Sequence, residues 1–348
     1  MPGAQWDPTA LPTRPGIYIN FKQAAAVAIS GGARGTVAIP LLTHSGTAAA
    51  KAFYTVTTEA EATELFGAAN IDSILLALQG GAKEVLVYTM PTTPVDADYV
   101  DMRAAFDTRQ FNVFVFDGEF DAAEQAKTKT WVIDNREEGK HFIVVIGGDA
   151  ATDADPTAGN ARSTLNKDDY IVNLIEGGVI GTETYTSSEY APYIAGLIAG
   201  TPINESVTYR VTPLEDVTKR LSNSQITAAL ASGSLVLTHD GEKVKVEQGI
   251  VTSGKKIRSI RARQAIATDV ARTAADNYIG RLNNNADGQA TLIVAIKAYL
   301  ETLEASGVLV APVVALDPQK PSVGDSVFLA VSYLEVDSIE RIFLTINI

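Results

Sequence analysis

Short apolar runs alternate with longer amphipathic segments through the first two thirds of the chain. The runs at 35–41, 85–89, 111–116 and 141–146 are rich in β-branched and aromatic residues, which is typical of buried strands. Helical patterns lie between these runs, most clearly at 121–138. Short buried strands that alternate with helices predict an α/β layer structure for this region.

Capping residues indicate where two helices of this region begin and end. Thr58 and Glu61 have the spacing of a capping box, and Gly67 is suited to end the helix that this box opens. Asn70 is expected to cap a second helix over 71–79. These signals place two short helices between the first strands.

The region after the fourth run is predicted from turn and cap residues. The polar segment 149–169 contains Gly, Pro and Asn, and we expect it to be an exposed loop. Ser187 or Ser188 is expected to cap a helix over 189–199. A further strand is predicted at 207–211.

The pattern changes in the last third of the chain. Residues 235–247 predict a β-hairpin around an Asp240-Gly turn, the strongest short hairpin signal in the sequence. Two long helices are predicted at 259–282 and 287–305, and a strand at 308–314.

Both ends of the chain predict strands. A Pro-rich lead opens into an apolar segment at 16–22, and the sequence closes with segments 327–333 and 341–348 around turn residues at 336–338. Ile342, Leu344 and Ile346 alternate, and one face of the last strand can therefore also pack on the subunit's own core. Edge strands present unpaired N–H and C=O groups, so such termini can donate strands to neighbouring subunits.

Composition narrows the classes of protein that fit this pattern. A chain of 348 residues is expected to form two or three domains. No stretch approaches about 18 uninterrupted apolar residues, and the N-terminus lacks the features of a secretory signal, so direct membrane insertion is not expected. The chain has no cysteine, which excludes disulfides and thiolate chemistry. Its net charge of -13 argues against nucleic acid as a partner.

The sequence offers little that could support catalysis or cofactor binding. His44, His141 and His239 lie in separate segments, without acidic or nucleophilic partners at diagnostic spacing. The glycine-rich segment 31–35 lacks the Lys-Ser/Thr of a phosphate-binding loop, and a strand rather than a helix follows it. We therefore expect no catalytic residue, no cofactor and no enzyme activity.

One acidic segment superficially resembles a calcium-binding loop. It contains Asp149, Asp153 and Asp155, but counting from Asp153 the sixth position is Ala158 rather than Gly, and the twelfth is Thr164 rather than Glu. A solvated acidic loop is the expected structure, and no metal site is predicted.

A basic stretch stands out against the acidic background. Residues 255–281 contain seven basic and two acidic residues, a net charge of +5 within a chain of -13. Lys255, Arg258 and Arg261 can form one stripe at the start of a helix. This stripe is either a solvated helix face or a docking face for an acidic partner surface.

Segments at both ends and in the last third together resemble a known family. They are the arm and first strand at 14–22 and 34–40, the hairpin at 233–248, the paired-helix segments 276–288 and 298–303, and the closing strands at 327–333 and 341–348. Their order and combination resemble contractile tail sheath proteins of myovirus-like phages and defective prophages. None of these segments is a catalytic signature.

The resemblance implies an α/β (α+β) fold with a split core domain. The N-terminal arm at 1–23 and residues 234–348 would form that core, which contains the two long helices, and residues 24–233 would form an outer α/β domain. In the family, terminal strands are exchanged between subunits and a core helix touches an inner tube. The implied inter-subunit residues are Ile17, Tyr18, Ile19, Phe21, Ile342, Phe343, Leu344 and Ile346. The implied tube-facing residues are Lys255, Lys256, Arg258 and Arg261.

The implied function is mechanical. Many copies would polymerise helically around an inner tail tube protein, and baseplate and tail terminator proteins would bound the polymer. Its contraction would drive the tube through a target cell envelope. The particle would be a virion, assembled in the host bacterial cytoplasm. The alternatives are the sheath of a phage-tail-like bacteriocin or contractile injection machine, and a nucleotide-binding α/β enzyme, which would need a fingerprint loop that the sequence lacks.

Overall fold

The structure, a computed structural model, describes residue 29 and residues 34–346 of the chain. The helices are α1 Glu59–Phe66, α2 Asp72–Gly80, α3 Asp96–Asp107, α4 Ala122–Glu137, α5 Ala150–Asp153, α6 Pro156–Leu165, α7 Ser187–Gly200, α8 Asn223–Ala231, α9 Ile257–Asn277 and α10 Ala286–Ala305. The strands are β1 Thr36–Leu41, β2 Phe53–Val56, β3 Glu84–Thr89, β4 Val113–Val115, β5 Ile143–Ile146, β6 Ile171–Leu174, β7 Gly178–Ile180, β8 Glu183–Tyr185, β9 Asp216–Val217, β10 Ser234–Leu235, β11 Leu237–His239, β12 Val244–Val246, β13 Leu309–Leu316 and β14 Leu329–Glu335. The predicted strand at 16–22, with Ile17, Tyr18, Ile19 and Phe21, lies outside the described residues.

A seven-stranded sheet forms the centre of the α/β region, in the order β10-β6-β5-β4-β1-β3-β2. Its strands pair in parallel except for β2, which runs antiparallel to β3. Every residue of β4, β5 and β6 is buried. Helices cover both faces of a parallel sheet, and this explains why its strands appear in the sequence as unbroken apolar runs. The predicted α/β layer structure is confirmed.

Helix α7 lies against β4 and β5 and beside α2 at very short range. A Cβ atom added at Gly196 would lie 2.0 Å from the carbonyl oxygen of Ala77, and one added at Gly80 would lie 2.3 Å from the carbonyl oxygen of Tyr193. Real Cβ contacts do not approach backbone atoms this closely. The two helices therefore pack backbone against backbone, and glycine is required where they meet.

Aromatic side chains join α3 and α4 to the sheet. The ring centroids of Phe106 and Phe114 are 5.4 Å apart, and those of Phe114 and Trp131 are 5.1 Å apart, both in edge-to-face geometry. The Trp131 indole N–H donates to Oδ1 of Asp107 at 2.7 Å. The cluster combines a large apolar area with a satisfied polar group, which is how buried tryptophan usually stabilises a core.

The predicted loop at 149–169 is wrong, because the segment contains α5 and α6. The side chain of Asp149 accepts a hydrogen bond from the backbone N–H of Thr152, and that of Asp155 accepts one from Thr157, each at 2.9 Å. Pro156 occupies the first turn of α6. Asp and Pro are common both in loops and at helix N-termini, and here they begin helices.

Three smaller predictions also differ from the structure. Asn70 does not cap α2, since its Nδ2 atom donates to the carbonyl oxygen of Phe66 at the end of α1. The cap of α7 is Thr186 rather than either serine, and it forms a capping box with Glu189. Residues 207–211 form no regular strand, because Tyr209 has a φ of +58° and interrupts the extended backbone.

The hairpin and long helices of the last third are confirmed, with shifted ends. Strands β11 and β12 pair antiparallel, and Gly241 has the positive φ, 108°, that the predicted turn requires. Helix α9 ends at Asn277 rather than at 282. A second apolar cluster includes Leu300 and Leu303 of α10 and Leu309 of β13. This cluster holds the last third of the chain together.

The predicted terminal hairpin is wrong. Strand β14 pairs antiparallel with β13, and residues 341–346 have no regular secondary structure. Leu309 and Val314 of β13 are buried in the cluster with α10, so β13 is already in place as a partner for β14. Packing on the helix, rather than the turn residues at 336–338, therefore decides which strands pair.

Candidate functional site

Strongly exposed apolar side chains are concentrated at the C-terminal end of the described chain. We call residues 341–348 the C-terminal arm, and four of its apolar side chains lie within the described residues: Ile342, Phe343, Leu344 and Ile346. Their exposed fractions are 74%, 90%, 82% and 80%, respectively. Monomeric soluble proteins rarely leave contiguous apolar side chains this open to water, and such patches usually mark an interface.

The sheet next to the C-terminal arm is small and open. Strands β13 and β14 form a two-stranded sheet, and no other described strand pairs with either of them. Leu334 and Val313 are 65% and 55% exposed on this sheet. Its outer strand edges present backbone N–H and C=O groups that no described strand pairs, so this element is suited to accept further strands.

A bulge explains why neighbouring positions of β13 face solvent together. The register shifts between Val310 and Val313, and Ala311 within the bulge has a φ of +53°. Strict alternation would place Val310 and Val313 on opposite faces, but the extra residue moves both to exposed positions, 40% and 55%. The bulge therefore increases the apolar area that the small sheet presents.

The segment before the C-terminal arm, which we call the arm root (residues 335–340), is held firmly by Glu340. Its Oε1 atom accepts a hydrogen bond from Oγ1 of Thr208 at 2.9 Å, and its Oε2 atom accepts one from Nε2 of Gln248 at 2.9 Å. The ammonium group of Lys256 lies 3.0 Å from the same Oε2 atom. Only 9% of the Glu340 side chain is exposed.

The other acidic residues of the arm root also pair with the basic stretch. The Lys256 ammonium lies 2.6 Å from Oδ2 of Asp337, and the Arg263 guanidinium binds both carboxylate oxygens of Glu335, at 2.5 and 3.2 Å. Sequence reasoning missed these partners. The signal that could have found them is the spacing of three acidic residues between apolar segments, opposite a basic helix start.

Pairing between the arm root and Lys256 shifts the pKa of Glu340 and the pKa of Lys256. Burial raises the pKa of Glu340, but hydrogen bonds from Gln248, Lys256 and Thr208 outweigh it and leave the pKa below its usual range. Burial lowers the pKa of Lys256, but Asp337 and Glu340 raise it overall. A lowered carboxyl pKa gives stability that is present at neutral pH. This contribution is lost as the pH falls from about 4.3 through the lowered value.

The structure does not bring the four predicted tube-facing residues together as an open stripe. Lys255 pairs with Asp169 at 2.7 Å, and Lys256 holds the arm root. Arg258 is buried and donates to a backbone carbonyl, that of Gly307, at 2.8 Å. Arg261 donates to another carbonyl oxygen, that of residue 201, at 2.6 Å, and burial together with neighbouring Arg34 lowers its pKa to about 10. Contact with a tube stays a prediction for this set.

Replacing Arg258 with glutamate is expected to destabilise the fold rather than a surface contact. A buried carboxylate facing the Gly307 carbonyl would have no donor, at a cost of about 3 kcal/mol or more. Thermal melting of the full chain measures this effect. The control is Lys255→Glu, which changes a half-exposed ion pair worth about 0–1 kcal/mol. Equal melting temperatures for the two variants would contradict the assignment.

At the carboxyl ends of parallel strands, where α/β proteins usually bind small ligands, the chain fills part of the crevice itself. The Arg162 guanidinium donates to Oδ1 of Asn173 at 2.6 Å and to the carbonyl oxygen of Leu174 at 2.8 Å. The Oγ atom of Ser187 accepts a hydrogen bond from the backbone N–H of Gly148 at 2.7 Å. These contacts occupy the edge at β5 and β6.

The described residues lack the patterns of metal sites and membrane-spanning helices. No cluster of three or more His, Asp or Glu side chains there is arranged to hold a metal ion. Within the acidic segment, Asp149 and Asp155 cap helices, and Asp153 accepts a hydrogen bond from the Ser187 hydroxyl at 2.5 Å. None of the described helices is both long and apolar enough to span a bilayer.

Comparison with known proteins gives matches along most of the chain. A family model described as the phage tail sheath protein central domain matches residues 93–252, and one described as the phage tail sheath C-terminal domain matches residues 252–348. The tail sheath protein of Clostridium phage phiCD119 is 25% identical over 304 residues, which cover 82% of this chain and 79% of that protein.

Solved structures share the fold. The sheath tail protein of Desulfitobacterium hafniense has a TM-score of 0.73 at 20% identity, covering 92% of this chain and 100% of that one. The helical sheath of the anti-feeding prophage in its contracted state has a TM-score of 0.75 at 16% identity, covering 97% of this chain and 99% of that one. The chain belongs to the phage tail sheath protein family.

Proposed function

We propose that this chain polymerises helically around an inner tube as the structural subunit of a contractile sheath, and that contraction of the polymer drives the tube through a target cell envelope. The observation that carries this proposal is the C-terminal arm. Its four described apolar side chains are 74–90% exposed, and it follows a two-stranded sheet whose outer edges have no partner among the described residues. A second copy of the chain can supply what both features lack.

The C-terminal arm would add a strand to β13–β14 of a neighbouring subunit. Added strands gain backbone hydrogen bonds along an open edge, while alternate side chains such as Ile342 and Leu344 enter apolar positions of the acceptor. The N-terminal residues Ile17, Tyr18, Ile19 and Phe21 would donate a further strand. Because donor and acceptor are different surfaces, the contact is heterologous, and it generates an open helical polymer when its rotation does not close a ring.

The proposed roles differ between the two domains, although Leu237, Val244 and Ile257 of the last third pack in the large apolar cluster of the α/β region. The cluster around α10 and β13 would belong to the core domain, formed by 1–23 and 234–348, which stays connected during contraction. The α/β region at 24–233 would be the outer domain, whose contacts re-form in a shorter, wider lattice. Residues 234 and 235 form β10 of the large sheet, so the two domains share an edge at this boundary.

The partners and the particle follow from the same proposal. The sheath would contact a tube protein, with the half-exposed Lys255 and the less exposed Lys256 as candidates for that contact. It would be bounded by baseplate and terminator proteins. The particle would be a phage virion, assembled in the bacterial cytoplasm. The alternative is an extracellular contractile injection system, since a sheath of that kind matches this fold with a TM-score of 0.74. No catalytic step is part of this function.

Negative-stain microscopy of the purified full-length protein tests the proposal. Tubes or stacks of rings are expected, because every subunit carries both a donor arm and an acceptor sheet. Light scattering over a concentration series should show a critical concentration for assembly. Discrete monomers at every concentration, with both termini verified as intact by mass spectrometry, would contradict the proposal.

A further inference from the structure

Exposure changes sharply over two residues where the arm root meets the C-terminal arm. The side chain of Glu340 is 9% exposed, whereas Ile342 is 74% exposed. In the described chain the last backbone–backbone hydrogen bond before the arm runs from the N–H of Val336 to the carbonyl oxygen of Val308, at 3.2 Å. Beyond Val336, side-chain contacts therefore determine where the arm begins.

Those contacts are ion pairs with Lys256 and hydrogen bonds to the Glu340 carboxylate. Lys256 lies between two carboxylates of the arm root, at 2.6 Å from Asp337 and 3.0 Å from Glu340. Gln248 and Thr208 bind the two oxygens of Glu340 and fix the plane of its carboxylate. Hydrogen bonds to charged groups are shorter and stronger than neutral ones, so this set holds the chain at 340 in one orientation.

We propose that the contact between Glu340 and Lys256 is a latch that fixes the direction in which the C-terminal arm leaves its subunit, and thereby selects the neighbour that it reaches. This inference rests on the proposed exchange of arms. A strand held at its root loses less conformational freedom on pairing and stays at a higher effective concentration near the correct acceptor. The basic start of α9 thus acts within its own subunit to present the arm.

The test reverses each charge of the latch and then exchanges them. Lys256→Glu and Glu340→Lys, made in the full-length chain, are each expected to raise the critical concentration for polymerisation at least about tenfold. Lys256→Glu leaves three carboxylates facing one another, and Glu340→Lys places two ammonium groups together. The double variant restores an opposite-charge pair and should return to within about threefold of the unmodified protein.

Two further measurements separate presentation of the arm from folding. Hydrogen exchange of the backbone at 336–340 in the unpolymerised protein should speed up in both single variants and return to normal in the double variant. Both single variants should remain folded, with melting temperatures that are lowered by several degrees but stay well above the temperature of the assembly assay. The matched control is Lys127→Glu on α4, since Lys127 also lies between two carboxylates, those of Asp96 and Glu124, and does not pair with the arm root. It should leave the critical concentration unchanged.

Several results would overturn the latch. Normal polymerisation by either single variant would do so, and so would a double variant that fails to recover or single variants whose melting temperatures collapse. Deleting residues 341–348 distinguishes failure of the latch from failure of arm exchange. If the deleted protein still forms normal tubes, exchange through this arm is wrong. If it cannot polymerise while Lys256→Glu polymerises normally, only the latch is wrong.

Discussion

Replacing Ile342, Phe343, Leu344 and Ile346 of the C-terminal arm with serine is expected to abolish polymers and leave the subunit folded. These side chains are 74–90% exposed, so they contribute almost no burial to their own subunit, and exposed substitutions usually change stability by less than about 0.5 kcal/mol. The alternation of Ile342, Leu344 and Ile346 left open a second role in the subunit's own core. The exposed positions of these residues give no support to that role.

The loss of assembly should be large because the arm acts through burial on a neighbour. Each apolar side chain of this size contributes about 1.5–3 kcal/mol when it is fully buried, and four of them act together at every contact. Sedimentation and microscopy measure the polymer, and thermal melting measures the subunit. Leu165→Ser is the matched control, since Leu165 is 74% exposed on α6, far from the arm in sequence. Normal tubes from the fourfold serine variant would contradict the role of the arm.

Replacing Gly196 with alanine is expected to destabilise the α/β region by about 2–3 kcal/mol, a fall of roughly 5–10 °C in melting temperature. The added Cβ would lie 2.0 Å from the carbonyl oxygen of Ala77, and that backbone atom cannot rotate away as a side chain could. Either α7 or α2 must therefore shift, although both helices are packed in the core.

Helix propensity and the close contact predict opposite changes in the stability of Gly196→Ala. Alanine is favoured over glycine inside a helix by about 1 kcal/mol, so propensity alone predicts that Gly196→Ala stabilises the protein. The reverse change at an exposed position, Ala126→Gly on α4, isolates that term and should cost about 1 kcal/mol. If Gly196→Ala melts at or above the temperature of the unmodified protein, the close contact between α2 and α7 is not as described.

The parallel sheet could be predicted from the sequence because its strands are buried on both faces. Each of β1, β3, β4 and β5 appears as a short apolar run, and no long-range information is needed to recognise such a run. The helices at 150–165 could not be predicted, because Asp149, Asp155 and Pro156 are equally typical of loops. Only the hydrogen bonds that the two aspartate side chains accept distinguish a helix N-terminus from a loop.

The candidate site could be predicted only in part. The apolar character of the C-terminal arm is visible in the sequence, and so is the basic stretch. The sequence does not show which acidic groups meet the basic ones, because Arg263 and Glu335 are 72 positions apart. The prediction of a terminal hairpin is wrong for a related reason. The partner of β14 is decided by the packing of β13 on α10, which local turn residues do not report.

No described strand covers the two outer edges of the β13–β14 sheet, and this has a consequence for the length of any polymer joined through them. Each subunit that docks covers one edge and brings an uncovered edge of its own, so growth contains no internal stop. The last ring exposes the same backbone groups as a free subunit, and such edges also attract incorrect partners. Under the proposed exchange of arms, length would therefore be set by something outside the subunit, and the final subunits would need a protein that covers their edges without offering new ones.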